Sequence, residues 1–297
     1  MEKSKVYFCK EITPESIVKM YEAVGVKLEG NVAVKLHSGE KGNQNYIRPE
    51  MVKNIVEHVN GTVVECNTAY PGERDTTERH IKLMEDHGWS KYFKVNIMDG
   101  EGNDKVLEIP NGKRIKENYV GKNIDNYDSM LVLSHFKGHP MGGFGGALKQ
   151  LSIGIASGNG KNHIHFAGKE NDGIYANMMV VEQELFLEAM ADAASSVVKY
   201  FKDKNAPVVY INVMCNMSVD CDCCAVAEDP CMKDIGILAS LDPIAIDQAC
   251  IDLVYNSNDP GKDHLIERIE SKKGLLTIEA SSNLNFGNRE YELINVD

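Results

Sequence analysis

Residues 134–165 combine glycine, histidine and lysine in a pattern typical of ligand-binding loops. Five glycines fall within thirteen residues, with four histidines and three lysines around them. Glycine loses the most conformational freedom on folding, so such a cluster indicates positive φ angles or a backbone that closely approaches another group. The segment follows a strand-like run at 129–133 and should lie at the carboxyl end of a strand, where open α/β sheets bind ligands. The alternative is a glycine-rich connection with solvated histidines.

This glycine-rich segment matches no common nucleotide-binding motif. It contains neither G-x-x-x-x-G-K-[ST] nor a G-x-G-x-x-G that opens a helix, so a nucleotide is not the first expectation. A small-molecule ligand is expected instead, because titratable side chains bracket a backbone that can approach a ligand closely. The ligand-contacting residues predicted in this segment are Lys137, Gly143, Gly145 and Gly146.

A second segment, residues 214–231, is rich in cysteine and is called the cysteine loop below. Thiolates that converge on one point are the ligands of tetrahedral zinc and of iron–sulfur clusters. The spacing is neither that of a bacterial ferredoxin nor that of a zinc ribbon, so a metal is indicated without its identity. Acidic neighbours would raise the pKa of free thiols, which favours a bound metal over nucleophilic cysteines. Reduced, partly buried thiols are the alternative. The candidate ligands are Cys215, Cys221, Cys223, Cys224 and Cys231.

Polar residues also follow two earlier predicted strands, at 31–36 and 62–66. His37 follows the first strand and Asn67 the second, and Arg48 lies in the loop between the first strand and the next helix. Loops at the carboxyl ends of parallel strands should converge, so these side chains are expected to share a cleft with the glycine-rich segment. The guanidinium of Arg48 matches a carboxylate or phosphate bidentately. A surface salt bridge for Arg48 and a hydrogen-bonded strand-end position for His37 are the alternatives.

Composition limits the classes of protein that the chain can represent. It has 297 residues, 43% apolar and 26% charged, and a net charge of −12. The negative charge argues against nucleic-acid and anionic-membrane partners, because a polyanion would be repelled. No apolar run approaches 18 residues, and the N-terminus leads into a strand rather than a signal peptide. We therefore expect a cytoplasmic protein.

The pattern of elements predicts an α/β fold, a largely parallel sheet flanked by helices, in two lobes around a cleft (1–133 and 134–297, tentatively). Strands are predicted at 6–9, 208–213 and 291–294, and helices begin at Thr13-Pro14 and at Asp242-Pro243. The Asn111-Gly112 turn predicts a hairpin of 106–109 with 114–116. A long amphipathic helix is predicted at about 176–202.

Three motifs show that the chain resembles the family known as domain of unknown function 362. They are K-L-H-x-G-E at 35–40, G-H-x-x-x-G-F-G-G-A-x-K at 138–149 and D-I-G-I-x-A-S-x-D-P-x-A-I-D-Q-A at 234–249. The resemblance covers nearly all of the chain and implies one family unit over 1–297. Members of this family carry C-D-C where this chain has 221–223, and they are often fused to ferredoxin-type iron–sulfur modules.

A shorter motif is similar to that of the nickel-pincer lactate racemases. It consists of a histidine, a G-F-x-G run, a lysine ten residues after the histidine, and G-[IV]-A-S beyond. The resemblance implies that Lys149 tethers or contacts a cofactor and that His139 is a general acid/base. It makes His163 or His165 the candidate metal ligand. Ile153 replaces the proline of that family, so the substrate is not carried over.

Two functions follow from these patterns. The first is a metal-dependent enzyme, a racemase-like isomerase or an oxidoreductase, in which His139, Lys149 and His37 act on a small organic acid or a cofactor. The second is an iron–sulfur or thiolate-metal protein that transfers electrons to a redox partner or delivers metal through the cysteine loop. A binding protein without turnover is a third possibility. The metal is left open between zinc, nickel and an iron–sulfur cluster.

Overall fold

The computed structural model describes residues 3–102, 104–171 and 181–297. Its strands are β1 (Ser4–Cys9), β2 (Val32–Lys35), β3 (Gly61–Glu65), β4 (Val95–Ile97), β5 (Asp104–Glu108), β6 (Glu117–Gly121), β7 (Ser129–His135), β8 (Lys137–His139), β9 (Gly143–Gly145), β10 (Val208–Met214), β11 (Gly236–Ser240) and β12 (Tyr291–Asn295). Its helices are α1 (Pro14–Ala23), α2 (Pro49–His58), α3 (Thr77–Asp86), α4 (Trp89–Tyr92), α5 (Ala147–Lys149), α6 (Gly158–His165), α7 (Gln183–Asp203), α8 (Pro243–Tyr255), α9 (Lys262–Ser271) and α10 (Leu275–Asn283).

Eight strands form one central sheet in the order β12-β1-β11-β10-β7-β2-β3-β4. The pairs of β11 with β1 and with β10 are antiparallel, and the other neighbours are parallel. The predicted α/β fold with a largely parallel sheet is therefore confirmed. The tentative lobes both contribute strands to this sheet and residue 133 lies inside β7, so a division of the chain there stays a prediction.

Both faces of the sheet are covered, which explains the uninterrupted apolar runs in its central strands. Successive side chains of a strand point to opposite faces. In β7, Met130 and Val132 accordingly belong to one apolar core, while Leu131 and Leu133 belong to another. None of the helices among the described residues has the combination of length and apolarity that crossing a membrane requires.

Local signals predicted two helix starts correctly. The Thr13 side chain accepts a hydrogen bond from the Ser16 N–H, and Asp242 accepts from Ile244 and Ala245, each with proline at the first helical position. These side chains satisfy N–H groups that the first turn of a helix leaves without a backbone acceptor. The predicted C-terminal strand is also present as β12.

The predicted hairpin exists with a different second strand. β5 pairs with β6 at Glu117–Gly121, and residues 114–116 belong to the connection instead. The reason is a long-range contact: the carboxylate of Asp192 accepts hydrogen bonds from the backbone N–H groups of residues 113, 114 and 115. Helix α7 begins at Gln183, and residues 176–180 of the predicted helix lie outside the described residues.

Candidate functional site

A cavity of about 420 Å³ lies at the carboxyl ends of β2, β3 and β7. The loops after these strands converge there, as predicted, and contribute His37, Thr68, Tyr70, Lys137 and His139 to its wall. Its volume falls in the range of small-molecule sites. Five basic side chains line this cavity: Lys35, Arg74, Lys137, Lys149 and Lys161.

The floor of the cavity contains a buried ion pair between β2 and β3. Lys35 is fully buried, and its Nζ lies 2.6 Å from Glu65 Oε2. The same ammonium donates to the carbonyl of Leu36 and, at 3.0 Å, to Gln150 Oε1. Burial alone would raise the pKa of Glu65, but Lys35 and neighbouring basic groups hold it well below its usual value. The three hydrogen bonds of the Lys35 ammonium, to Glu65, Leu36 and Gln150, use all of its N–H donors within the protein.

Arg74 fixes one wall of the cavity. Its Nε donates to Glu40 Oε2 at 3.0 Å, and its Nη2 donates to the hydroxyl of Tyr70 at 2.6 Å. Nη1 faces His37 Nε2 at 3.2 Å, while the backbone N–H of Gly39 donates to His37 Nδ1. An imidazolium at His37 would thus have no acceptor on either side. Burial, and then the charge of Arg74, lower the pKa of His37 well below its usual value, so this ring is neutral.

Asp222 anchors the cysteine loop beneath the cavity. Its carboxylate lies 2.6 Å from Lys137 Nζ and 2.8 Å from His135 Nδ1, and all three side chains are buried. His135 Nε2 lies 2.6 Å from the carbonyl oxygen of Cys215. Both ring nitrogens of His135 therefore face acceptors. Burial would raise the pKa of Asp222, but His135 and Lys137 hold it below its usual value.

Asp222 is flanked in sequence by the two cysteines of a compact donor cluster. One donor atom each of His139, Cys221 and Cys223 lies within 4.8 Å of the others. Cys223 Sγ lies 3.7 Å from His139 Nε2, and Lys149 Nζ lies 3.4 Å from Cys221 Sγ. We call His139, Cys221 and Cys223 the His/Cys cluster.

The charges around the His/Cys cluster favour one thiolate. Burial alone would raise the pKa of the Cys221 thiol, but a hydrogen bond from Cys223 and the charge of Lys149 hold it well below its usual value. The hydrogen bond to Cys221 raises the pKa of Cys223 instead. Burial would lower the pKa of Lys149, but Cys221 raises it above its usual value. Burial and Lys149 lower the pKa of His139 to about 4, so its imidazole is neutral.

The two sulfurs suit a thiophilic metal ion such as zinc, copper(I) or iron, because thiolates are soft ligands. The imidazole of His139 is less well prepared to bind a metal ion. His139 Nδ1 accepts hydrogen bonds from the N–H groups of Met141, at 3.1 Å, and Gly142, at 2.8 Å. The proton of the neutral ring therefore lies on Nε2, the atom that faces Cys223. A metal could bind this nitrogen only by displacing that proton, whereas Cys221 Sγ is free of such a constraint.

The other predicted metal ligands are distributed over different environments. Cys224 and His165 line the cavity. Burial raises the pKa of the Cys215 thiol to about 12, and Cys231 Sγ donates to the carbonyl of Met217. His163 is half-buried, and its ring makes an edge contact with Tyr119. Cys215, Cys231 and His163 are not among the residues that line the cavity.

The predicted ligand-binding residues also divide into two groups. Lys137, Gly145 and Gly146 line the cavity. Arg48 is exposed and stacks on the ring of Tyr46 at 3.8 Å. Asn67 is hydrogen-bonded to Thr77 and His80. Gly143, with φ of 79°, packs so closely on Gly274 that a Cβ would lie 2.8 Å from its Cα. Arg48, Asn67 and Gly143 are outside the cavity lining.

Sequence reasoning did not assign Lys35, Glu65, Gln150, Lys161 or Asp222 to the site. One signal was present, since Lys35 is a charged residue inside an otherwise apolar strand run. A buried lysine is rarely tolerated without a partner, so such a position indicates a buried ion pair or a site. The partner itself could not be read from the sequence.

Fold and site together define an α/β protein with a basic cavity and a His/Cys cluster that could bind a metal. Residues 32–252 match the family described as domain of unknown function DUF362, and the chain belongs to that family, as predicted. No curated protein matches the chain.

Two solved structures are similar to the chain at low identity. The lactate racemase apoprotein from Thermoanaerobacterium thermosaccharolyticum is 17% identical over 71% of this chain and 50% of its own, with a TM-score of 0.38. A structural genomics target from Thermotoga maritima is 11% identical over 91% of this chain and 58% of its own, with a TM-score of 0.45. The chain thus spans between half and three-fifths of the length of these proteins. Both likenesses are too distant to carry over a function.

Proposed function

We propose that this chain is a metal-dependent enzyme that holds a thiophilic metal ion at Cys221 and Cys223 and acts on an anionic small molecule in the adjoining cavity. The observation that carries the proposal is the pair of sulfurs of Cys221 and Cys223, which lie within 4.8 Å of each other and of a His139 nitrogen, beside a cavity lined by basic side chains. A bound metal would polarise an oxygen atom of the ligand.

The charge of the cavity supports an anionic ligand. The chain as a whole has a net charge of −12, yet basic groups are concentrated in this wall. Lys149 has no carboxylate partner among the described residues, and its one hydrogen bond is to Cys221 Sγ. Its ammonium is therefore available to a carboxylate or phosphate of a ligand.

His139 supplies a hydrogen-bond donor rather than a charged acid. Its neutral ring keeps the proton on Nε2 because two backbone N–H groups occupy Nδ1. A neutral imidazole with a fixed N–H can stabilise negative charge that develops on a ligand oxygen. The arrangement suits a reaction in which negative charge develops on a carbonyl oxygen of the ligand.

Metal content of three matched variants tests the proposal. Protein purified without oxygen is expected to contain metal by elemental analysis, and Cys221→Ser or Cys223→Ser should lower its affinity for that metal at least tenfold. Cys231→Ser is the control, because this cysteine lies in the same loop but outside the cavity lining. Metal retained in both test variants, or absent from wild type after anaerobic reconstitution, would contradict the proposal.

The second candidate is a thiolate-metal protein that transfers electrons. Cys224 favours it, because this third cysteine lines the same cavity and is only half-buried, next to Cys223. A visible absorption band that bleaches with dithionite, and metal retention in His139→Ala with loss in Cys224→Ser, would favour this candidate over the enzyme.

A further inference from the structure

Lys161 places an ammonium group in the cavity wall without a carboxylate beside it. The residue is 8% exposed, and among the described residues its Nζ makes one hydrogen bond, to the carbonyl of Ala156 at 2.5 Å. An ammonium has three donors, so two remain unused. Burial lowers the pKa of Lys161, and the charge of the Asp99 carboxylate opposes this shift. Asp99 forms no ion pair with Lys161 and accepts instead from the N–H groups of Asn67 and Gly158.

The other buried basic groups of the cavity are compensated. Lys35 is paired with Glu65, Arg74 with Glu40 and Lys137 with Asp222, each at 3.0 Å or less. Burial of an ammonium without a partner costs several kcal/mol, which is why buried charges are normally paired. Over the ranges 3–102, 104–171 and 181–297, the Lys149 ammonium faces the Cys221 sulfur at 3.4 Å, whereas Lys161 has no anionic group within hydrogen-bond distance.

These two ammonium groups lie in different parts of the cavity. Lys149 Nζ lies 3.4 Å from Cys221 Sγ, whereas Lys161 Nζ lies 2.5 Å from the carbonyl oxygen of Ala156, and the carboxylate that acts most on Lys161 is that of Asp99. His165 also lines this cavity, and the charges of both lysines act on its ring. Its Nδ1 faces the carbonyl of Lys161 at 2.6 Å, which holds α6 and the ring in a fixed relation.

We infer that Lys161 binds a second anionic group of the ligand, so that the substrate class of this cavity is a small acid with two anionic groups. One group would lie at Lys149, beside the His/Cys cluster, and the other at Lys161. The position of the first anionic group, at Lys149, rests on the proposed function. The position of the second anionic group rests only on Lys161 and the cavity. The shared chemistry is that of anionic oxygens, so the second group is a carboxylate or a phosphate.

Calorimetric titration of the full chain, as purified, tests this inference. The probes are succinate, glutarate and adipate, the monocarboxylates butyrate and valerate, and 2-phosphoglycolate for the phosphate alternative. Wild type is expected to bind at least one dianion tenfold or more tightly than the monocarboxylates. Lys161→Met should weaken the binding of that dianion by about tenfold to a hundredfold, since hydrogen bonds to charged groups have this strength. Binding of monocarboxylates should stay unchanged.

Lys169→Met is the matched control, because Lys169 is an exposed lysine close to α6. It should bind all probes as wild type does. Without a ligand, Lys161→Met is also expected to unfold at a higher temperature than wild type, because a buried unpaired charge has been removed.

Equal affinity of wild type for dianions and monocarboxylates, an unchanged dianion affinity in Lys161→Met, or a lower melting temperature of that variant would overturn the inference. Absence of binding by every probe to wild type would overturn it as well. Metal content is measured on the same preparations. A Cys221→Ser protein that retains its metal while dianion binding still depends on Lys161 would refute the proposed function and leave this inference standing.

Discussion

Replacing Asp222 with asparagine keeps the shape of the side chain and removes the carboxylate that Lys137 and His135 both contact. Asp222 is 1% exposed, and its oxygens lie 2.6 Å from Lys137 Nζ and 2.8 Å from His135 Nδ1. In Asp222→Asn, the ammonium stays buried without its counter-charge. Because residue 222 stands between Cys221 and Cys223, the loop that holds the cluster should loosen as well.

The expected loss of stability follows from this burial. Removing one partner of a buried ion pair costs about 3–5 kcal/mol. Asp220→Asn is the matched control in the same loop: Asp220 lies 3.0 Å from Arg268, but about a fifth of each side chain is exposed. A partly exposed pair contributes about 1 kcal/mol or less. The two substitutions should thus differ by at least 2 kcal/mol.

Urea unfolding at pH 7 measures this difference. The midpoint should fall much further in Asp222→Asn than in Asp220→Asn, with equal slopes for both. The pKa of Asp222 is depressed in the folded state, so its contribution is present above pH 3.8, the unfolded value, and is lost as the pH falls through the folded value. The acid limb of the stability curve should therefore be shallower in Asp222→Asn. Equal destabilisation by the two substitutions would refute this account.

Three further predictions concern the elements around the cavity. Gly138→Ala should destabilise the protein by about 1–3 kcal/mol in urea unfolding, because a Cβ there would lie 2.3 Å from a backbone oxygen of the cysteine loop. Gly158→Ala is its control, since a Cβ at that position would make an ordinary contact at 3.5 Å. Lys35→Met should cost about 3–5 kcal/mol at pH 7 by leaving Glu65 buried without its main counter-charge, and this cost should shrink as the pH falls and Glu65 takes up a proton. Burial raises the pKa of Asp247 to about 6, above its unfolded value of 3.8. As the pH rises from 4 to 7, wild type should therefore lose stability relative to Asp247→Asn. A stability difference that does not change with pH would contradict this.

Much of the fold and part of the site could be predicted from local patterns. Uninterrupted apolar runs followed by polar loops indicate buried parallel strands, and the carboxyl ends of such strands lie along one edge. This reasoning placed His37, Lys137 and His139 at a common cleft, where the structure brings them together. The partner of Asp247, by contrast, is distant in sequence: its carboxylate accepts from the N–H groups of Ala147 and Leu148, at the start of α5.

The choice between neighbouring candidates could not be predicted. His163 and His165 are two residues apart on α6, so their side chains point about 200° apart around the helix, and the sequence does not say which one faces the cavity. Contacts of distant residues decide it: His165 stacks on Phe186, and His163 packs against Tyr119. Likewise, Arg48 was the predicted anion-binding arginine, yet it is held outside the cavity by the ring of Tyr46, while Arg74 lines the wall.

By itself, the sequence determined the positions of most central strands, the helix caps and the residue types available for chemistry, because these depend on neighbours within a few positions. Only the tertiary structure decided which charges are compensated and which are left for a ligand. The pairs of Lys35 with Glu65 and of Lys137 with Asp222 join residues 30 and 85 positions apart. A buried charge must find its partner wherever the fold brings one close, and no local pattern records that distance.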